Sequence, residues 1–312
     1  MSMIIAEVPG FLQVFSDGSL KRFHPELAKA SNETYSNGYK SKDVTIDSSK
    51  SITGRMFLPD APESVGKIPV LVYFHGGGFC IGSTTWLGYH AFLGDLSVIS
   101  KTIILSVDYR LAPENKLPIA YEDCYTSLEW LGKNRDSELW LQRADLSRVF
   151  LSGDSAGGNI VHQVTIRAIK TEIRNVRIKG LLPIHPYFGS ETRTELEMAN
   201  GSEEAVSTND MFWKLSLPEG ESRDYYGCNF ENAQLSADEW KNQFPQVVVF
   251  IAGLDFLKER GFMYADFLKK KGVGKVNLIE AKDESHVYHV FHPESEATNL
   301  LQKQISDFIQ NL

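Results

Sequence analysis

Three side chains far apart in the chain have the types needed for acyl transfer: the hydroxyl of Ser155, the carboxylate of Asp255 and the imidazole of His286. A serine hydroxyl is a weak nucleophile at its own pKa. It needs a base to take its proton, an acid group to orient that base, and N–H donors for the oxyanion that forms. Ser155 lies in Gly153-Asp154-Ser155-Ala156-Gly157-Gly158-Asn159, a Gly-x-Ser-x-Gly pattern. At a sharp strand-to-helix corner this pattern exposes the hydroxyl beside a helix N-terminus. The donors have a candidate source in His75-Gly76-Gly77-Gly78-Phe79. Successive glycines after a buried strand let backbone N–H groups approach a ligand, so Gly77 and Gly78, with Ala156 after the nucleophile, are the expected oxyanion hole. His75 is expected to bond loop backbone rather than to react.

Each of these residues has to be placed by an element. Arg148–Ser152 is a β-rich run before the serine, and Ile160, Val161, Val164 and Ile169 give the helical period after it. Ile68–Phe74 is a continuous apolar run, as in a strand covered on both faces, and it leads into the glycines. Gln246–Ala252 leads to Asp255, and Lys275–Ala281 leads to His286. The order Ser, Asp, His, each just past a strand, is the order of one hydrolase architecture. His289 is an alternative base, and Asp283 or Glu284 an alternative acid; position at the strand ends favours His286 and Asp255. Helices are expected over Tyr89–Ser100, Tyr121–Lys133, Lys258–Lys270 and Glu294–Leu312. Strand alternating with helix implies an α/β chain with a mostly parallel sheet. Phe11–Phe23 reads as a hairpin about Asp17-Gly18, residues 24–42 as irregular, and Leu139–Leu146 as a connector. Residues 189–242 are polar and too long for a plain connection, with a helix expected only about Met211–Leu215. That segment reads as an insertion forming part of a cap, and residues 1–42 as a further cap element on one domain spanning 1–312. Phe79, Trp213, Phe256 and Tyr288 are expected to wall the pocket. Arg110 and Glu114 are expected to pin their loop to the sheet edge.

The chain has 312 residues, 42% hydrophobic and 23% charged, with a formal net charge of -8. An acidic surface disfavours nucleic acid and anionic membranes as partners. The N-terminus has no basic stretch before its short apolar run, which is unlike a signal peptide or a membrane span. Cys80, Cys124 and Cys228 are sparse and odd in number, the usage of a reduced, cytoplasmic protein. No Cys/His spacing of the metal-binding type occurs, so neither metal nor cofactor is expected, and the implied partner is a small-molecule ester. The sequence leaves the oligomeric state open.

The motifs His75–Phe79, Tyr109–Glu114, Gly153–Asn159, His185-Pro186-Tyr187-Phe188, Trp213–Pro218 and His286–His289 resemble those of plant carboxylesterases of the hormone-sensitive-lipase type. The resemblance runs from about Phe11 to the C-terminus. It implies an α/β-hydrolase fold with an eight-stranded sheet and an N-terminal cap, serine esterase activity on small acyl or methyl esters, and a cytoplasmic location. The same family includes gibberellin receptors, which bind without turnover and as a rule lack the catalytic histidine. It also includes dehydratases, and alkaloid-pathway members that act as cyclases or cleave an ester ahead of decarboxylation. The intact triple glycine and His286 favour hydrolysis, of a specialised metabolite such as an alkaloid ester. Ser285, and Tyr225-Tyr226-Gly227, depart from the family pattern, the latter in the segment expected to select substrate.

Overall fold

The computed structural model describes residues 2–32, 37–61, 66–199 and 203–312; residues 33–36 and 200–202, inside the two expected cap segments, lie outside it. In chain order the elements are β1 (Ile4–Val8), β2 (Leu12–Phe15), β3 (Leu20–Arg22), β4 (Tyr39–Asp47), β5 (Ile52–Pro59), β6 (Ile68–Phe74), α1 (Leu87–Ser100), β7 (Ile103–Asp108), α2 (Ile119–Asn134), β8 (Ala144–Asp154), α3 (Ala156–Lys170) and β9 (Ile178–Ile184). They continue with α4 (Glu195–Met198), α5 (Glu203–Ser216), β10 (Gln246–Ala252), α6 (Lys258–Lys270), β11 (Val276–Ala281), α7 (Tyr288–Phe291) and α8 (Glu296–Gln310).

Eight strands form one sheet in the order β4-β5-β7-β6-β8-β9-β10-β11. The pairs from β7 to β11 are parallel, and β5 runs antiparallel to both β4 and β7. Every residue of β6 is buried, which is why it reads as an unbroken apolar run instead of an alternation. Helices flank the sheet. α1 packs on α8, which reaches β8 through Phe308 against Phe150. α3 packs on α2 and meets α6 where His162 Nδ1 and the Tyr264 hydroxyl lie 3.0 Å apart. Parallel order carries the C-terminal ends of β6, β8, β10 and β11 to one edge, where such sheets bind ligands.

β1–β3 form a separate three-stranded antiparallel sheet. The sequence pattern predicts only its β2–β3 hairpin; β1 is largely exposed, so it carries no apolar alternation to read. Arg22 fastens this sheet down. It donates to the Cys80 and Ala112 carbonyls and pairs with both oxygens of Glu114. Glu114 therefore pins the N-terminal sheet to its loop, while Arg110 forks onto buried Asp123 at 2.9 and 2.7 Å. Three boundaries differ from expectation. β4 begins at Tyr39, inside the stretch read as irregular. The Leu139–Leu146 connector is a 3-10 turn over Leu139–Arg143 followed at once by β8. α5 begins at Glu203 rather than near Met211, because its first two turns are polar and give no helical stripe of apolar residues.

The segment after β9 is tied to the sheet by a buried ion pair. Arg260 on α6 donates to both carboxylate oxygens of Glu197 at 2.9 and 2.8 Å, and also to Ser190 Oγ and the Thr192 carbonyl. Both side chains are almost wholly buried. Removing one partner leaves the other charge without solvent or counter-ion. Glu197→Ala is expected to lower unfolding stability by about 3–5 kcal/mol in a urea titration, with much of the loss recovered in the Glu197→Leu, Arg260→Met double variant. Equal stability of Glu197→Ala and wild type would show that the pair contributes nothing.

Candidate active site

Ser155 stands at the corner between β8 and α3 with φ 51 and ψ -117, a conformation that a residue with a side chain adopts only under strain. The corner is tight because β6 runs alongside. A Cβ on Gly153 would lie 2.5 Å from the Phe74 carbonyl oxygen, and one on Gly157 would collide with the same atom. The corner is held by backbone bonds from Ser155 N–H to the Ile184 carbonyl and from Tyr187 N–H to the Ser155 carbonyl, each 2.9 Å.

His286 follows β11, and Asp255 follows β10. Nε2 of His286 lies 2.9 Å from Ser155 Oγ, and Nδ1 lies 2.6 Å from Asp255 Oδ2. The other Asp255 oxygen accepts the Leu257 N–H at 2.9 Å. Burial alone pushes the His286 pKa down. The Asp255 carboxylate, the hydrogen bond to it and the more distant Asp154 outweigh that, leaving the imidazole above its ordinary value. Burial likewise pushes Asp255 up, but His286 and its hydrogen bond, with His185 and the Leu257 N–H, hold the carboxyl below its usual range.

The alternative residues are placed elsewhere. His289 is fully buried, its Nε2 3.3 Å from the Tyr73 hydroxyl, and burial lowers its pKa to about 3. Asp283 is exposed, and Glu284 meets the site's loop only through its backbone carbonyl, which accepts the Leu254 N–H. One helical turn separates His286 from His289, yet Val287 at φ 50 turns the chain between them so that the two rings face different neighbours. That strained β-branched residue is held by its own N–H, which donates to His185 Nδ1 at 3.0 Å. His185 was legible only as part of a motif; its contact joins β9 to the loop that carries His286.

Gly77 and Gly78 follow β6 and face Ser155 across one cavity. Neither of their N–H groups has a hydrogen-bond partner among the described residues. Ala156 is the first residue of α3, where the N–H has no intrahelical partner. Gly78 has φ +57, and a Cβ there would lie 2.6 Å from the Phe212 ring on α5. The loop is anchored from behind by Asp154, which is fully buried. Its carboxylate accepts from the Tyr73 hydroxyl (2.7 Å), the Tyr89 hydroxyl (2.9 Å) and the Gly76 N–H (3.1 Å). Burial raises the Asp154 pKa, and the two tyrosine bonds pull it back. His75 stacks on Tyr109 with ring centroids 4.3 Å apart, and its Nδ1 lies 2.8 Å from the Gly76 carbonyl.

The cavity measures about 580 Å³ and contains Ser155 and His286 in its wall. Val8 and Phe11 from the N-terminal segment line it, as do Glu204, Asn209 and Phe212 from α5. Of the four apolar residues predicted for the wall, Phe256 lines it and three do not. Phe79 points into the core against Tyr121, Tyr187 and Trp213. Trp213 stacks on Tyr187 at 4.4 Å and lies outside the cavity lining, on a different face of α5 from Phe212. Tyr288 packs on His185 beneath the loop. In each case a large ring gains more from full burial than from a partly wet wall. Phe212 and Phe11 take those places; neither has a sequence signal that separates it from ordinary packing. His185, Asp255 and His286 are close enough to hold a metal, but both nitrogens of His286 and Nδ1 of His185 already have partners.

The family described as an alpha/beta hydrolase fold matches residues 71–290. Probable carboxylesterase 6 of Arabidopsis thaliana is 35% identical over 93% of this chain and 84% of its own length. Tuliposide A-converting enzyme b1 of Tulipa gesneriana, an amyloplastic protein, is 36% identical over 90% of this chain and 73% of its own. Among solved structures, a hyperthermophilic esterase from the archaeon Pyrobaculum calidifontis superposes with a TM-score of 0.75 at 28% identity, covering 87% of this chain and 85% of that one.

The Asp154 anchor makes a measurable claim. An amide at this position keeps the size but has one acceptor oxygen facing three donors. Asp154→Asn is expected to cost about 2 kcal/mol of stability and, by loosening the glycine loop, to lower kcat about 10²-fold. Thermal unfolding and ester turnover measure the two effects; an unchanged kcat would detach Asp154 from the loop's position.

Proposed function

The chain belongs to the alpha/beta-hydrolase family and is a carboxylic ester hydrolase, and from that premise we propose that it cleaves a small ester through Ser155, His286 and Asp255 by way of an acyl-enzyme. The observation that carries this reading is the pair of contacts from one imidazole, 2.9 Å to Ser155 Oγ and 2.6 Å to Asp255 Oδ2. His286 Nε2 takes the hydroxyl proton as Ser155 Oγ attacks the ester carbonyl. Asp255 holds Nδ1–H, fixes the tautomer and stabilises the imidazolium. The oxyanion is received by the N–H groups of Gly77, Gly78 and Ala156, each such donor worth about 3 kcal/mol in the transition state. His286 then gives its proton to the departing alcohol. Water, deprotonated by the same nitrogen, attacks the acyl-enzyme and releases the acid and Ser155. The strain at Ser155 holds Oγ in line with its base before substrate arrives.

The substrate in this reading is an ester of a plant specialised metabolite, of which an alkaloid ester is one kind. The tulip relatives, named for converting tuliposide A, support the broader part of it. A cytoplasmic location goes with the three unpaired, buried thiols. Among the described residues no helix is long and apolar enough to cross a membrane.

Two measurements test the mechanism. Ser155→Ala should lower kcat/KM for p-nitrophenyl acetate by about 10⁴-fold or more; turnover that survives the change would put the chemistry elsewhere. The base must be neutral to work, and Asp255 raises its pKa above the ordinary 6.5. Activity should therefore fall as pH drops through a value above 6.5, with full activity on the alkaline side. Asp255→Asn removes the carboxylate that raises the pKa and should move that limb to lower pH. A limb unaffected by Asp255→Asn would assign it to another group.

A further inference from the structure

One wall of the cavity carries a charge that ester cleavage does not use. Glu204, Ala205, Thr208, Asn209 and Phe212 recur along one stripe of α5, and all of them line the cavity. Among the described residues the lining includes no lysine or arginine; its acidic side chains are buried Asp154 and exposed Glu204. Asp154 is fully engaged by Tyr73, Tyr89 and Gly76, whereas Glu204 has no ion pair or hydrogen bond among the described residues. Five residues further along, Asn209 is 4% exposed, and its Oδ1 is enclosed by protein without a partner and out of reach of a ligand in the cavity. The Tyr187 hydroxyl donates to the Asn209 backbone carbonyl instead of the side chain. An acidic residue in the first turn of a helix also suits the helix dipole, but Glu203 meets that need without lining the cavity. Phe11, Phe212 and Phe256 line the same space, and an aromatic face receives a cation better than an anion.

We propose that the ester hydrolysed here carries a protonated amine, received by the Glu204 carboxylate while the ester carbonyl lies at Ser155. The inference deepens the esterase reading and rests on it for the position of the carbonyl. It also sets a direction of selectivity: an ester bearing a free carboxylate meets acid side chains and no cation, and is a poor substrate.

The test uses two esters of nearly the same shape, 2-(dimethylamino)ethyl butanoate, protonated at neutral pH, and 3-methylbutyl butanoate, its neutral counterpart. The ratio of their kcat/KM values is measured for the full chain, for Glu204→Gln and for Glu203→Gln. The wild type should favour the amine. Glu204→Gln should cut that preference about fivefold, and Glu203→Gln should leave it within about twofold. Equal turnover of the two esters by the wild type, or equal losses in the two variants, overturns the proposal. Calorimetric binding of the same pair to Ser155→Ala separates the two readings. Preferential binding of the amine with no wild-type hydrolysis of either ester would sink the esterase reading and keep the cation site. Hydrolysis of both, with no preference in binding, would do the reverse.

Discussion

The carbonyl oxygen of Phe74 leaves no room for a side chain at either glycine that flanks Ser155. That contact between β6 and the corner after β8 sets the geometry of the site. It forces the β8–α3 turn to be sharp, and the sharp turn puts Ser155 in its strained conformation with the hydroxyl directed out of the sheet. The same strand, β6, leads directly into the glycine loop. Ser155 and the glycine loop are therefore fixed to each other by two adjacent parallel strands, with Phe74 opposite Gly153 in the register. A rigid scaffold of this kind lets donors meet developing charge without reorganising during the reaction.

Behind that contact lies a polar network in an otherwise apolar interior. Asp154, immediately before the nucleophile, gathers two tyrosine hydroxyls and the first amide of the glycine loop. A lone buried carboxylate would be costly; three donors offset the desolvation and make the position of the loop depend on the position of the elbow. His185 does the corresponding work on the other side, joining the end of β9 to the strained loop bearing His286. The two networks explain how groups 31 and 131 residues apart in the chain hold contacts of 2.6 and 2.9 Å without help from any one local motif.

The cavity is assembled differently. Its floor is the rigid strand edge, while its walls come from the N-terminal segment and from α5, both outside the sheet's parallel core. These walls are anchored by charged contacts, Arg22 with Glu114 on one side and Arg260 with Glu197 on the other. The elbow and the cavity walls thus belong to separate layers of the molecule, which meet where Phe212 of α5 packs on Gly78.

The sequence alone was enough for the fold and for naming the candidate reacting groups. Short apolar runs between turn residues suit a sheet covered on both faces, and Ser155 and Asp255 follow such runs, while His286 follows the more polar, partly exposed β11. The pocket wall was less legible. Phe79, Trp213 and Tyr288 look no different in sequence from Phe11 and Phe212, because an aromatic ring is equally at home in a core and in a cavity wall. The turn at Val287 that separates His286 from His289, the donors gathered by Asp154 and the open acceptor of Asn209 depend on contacts across the chain. Periodicity records which face of an element is apolar; what that face meets is decided only when distant segments pack, and there the tertiary structure alone has the answer.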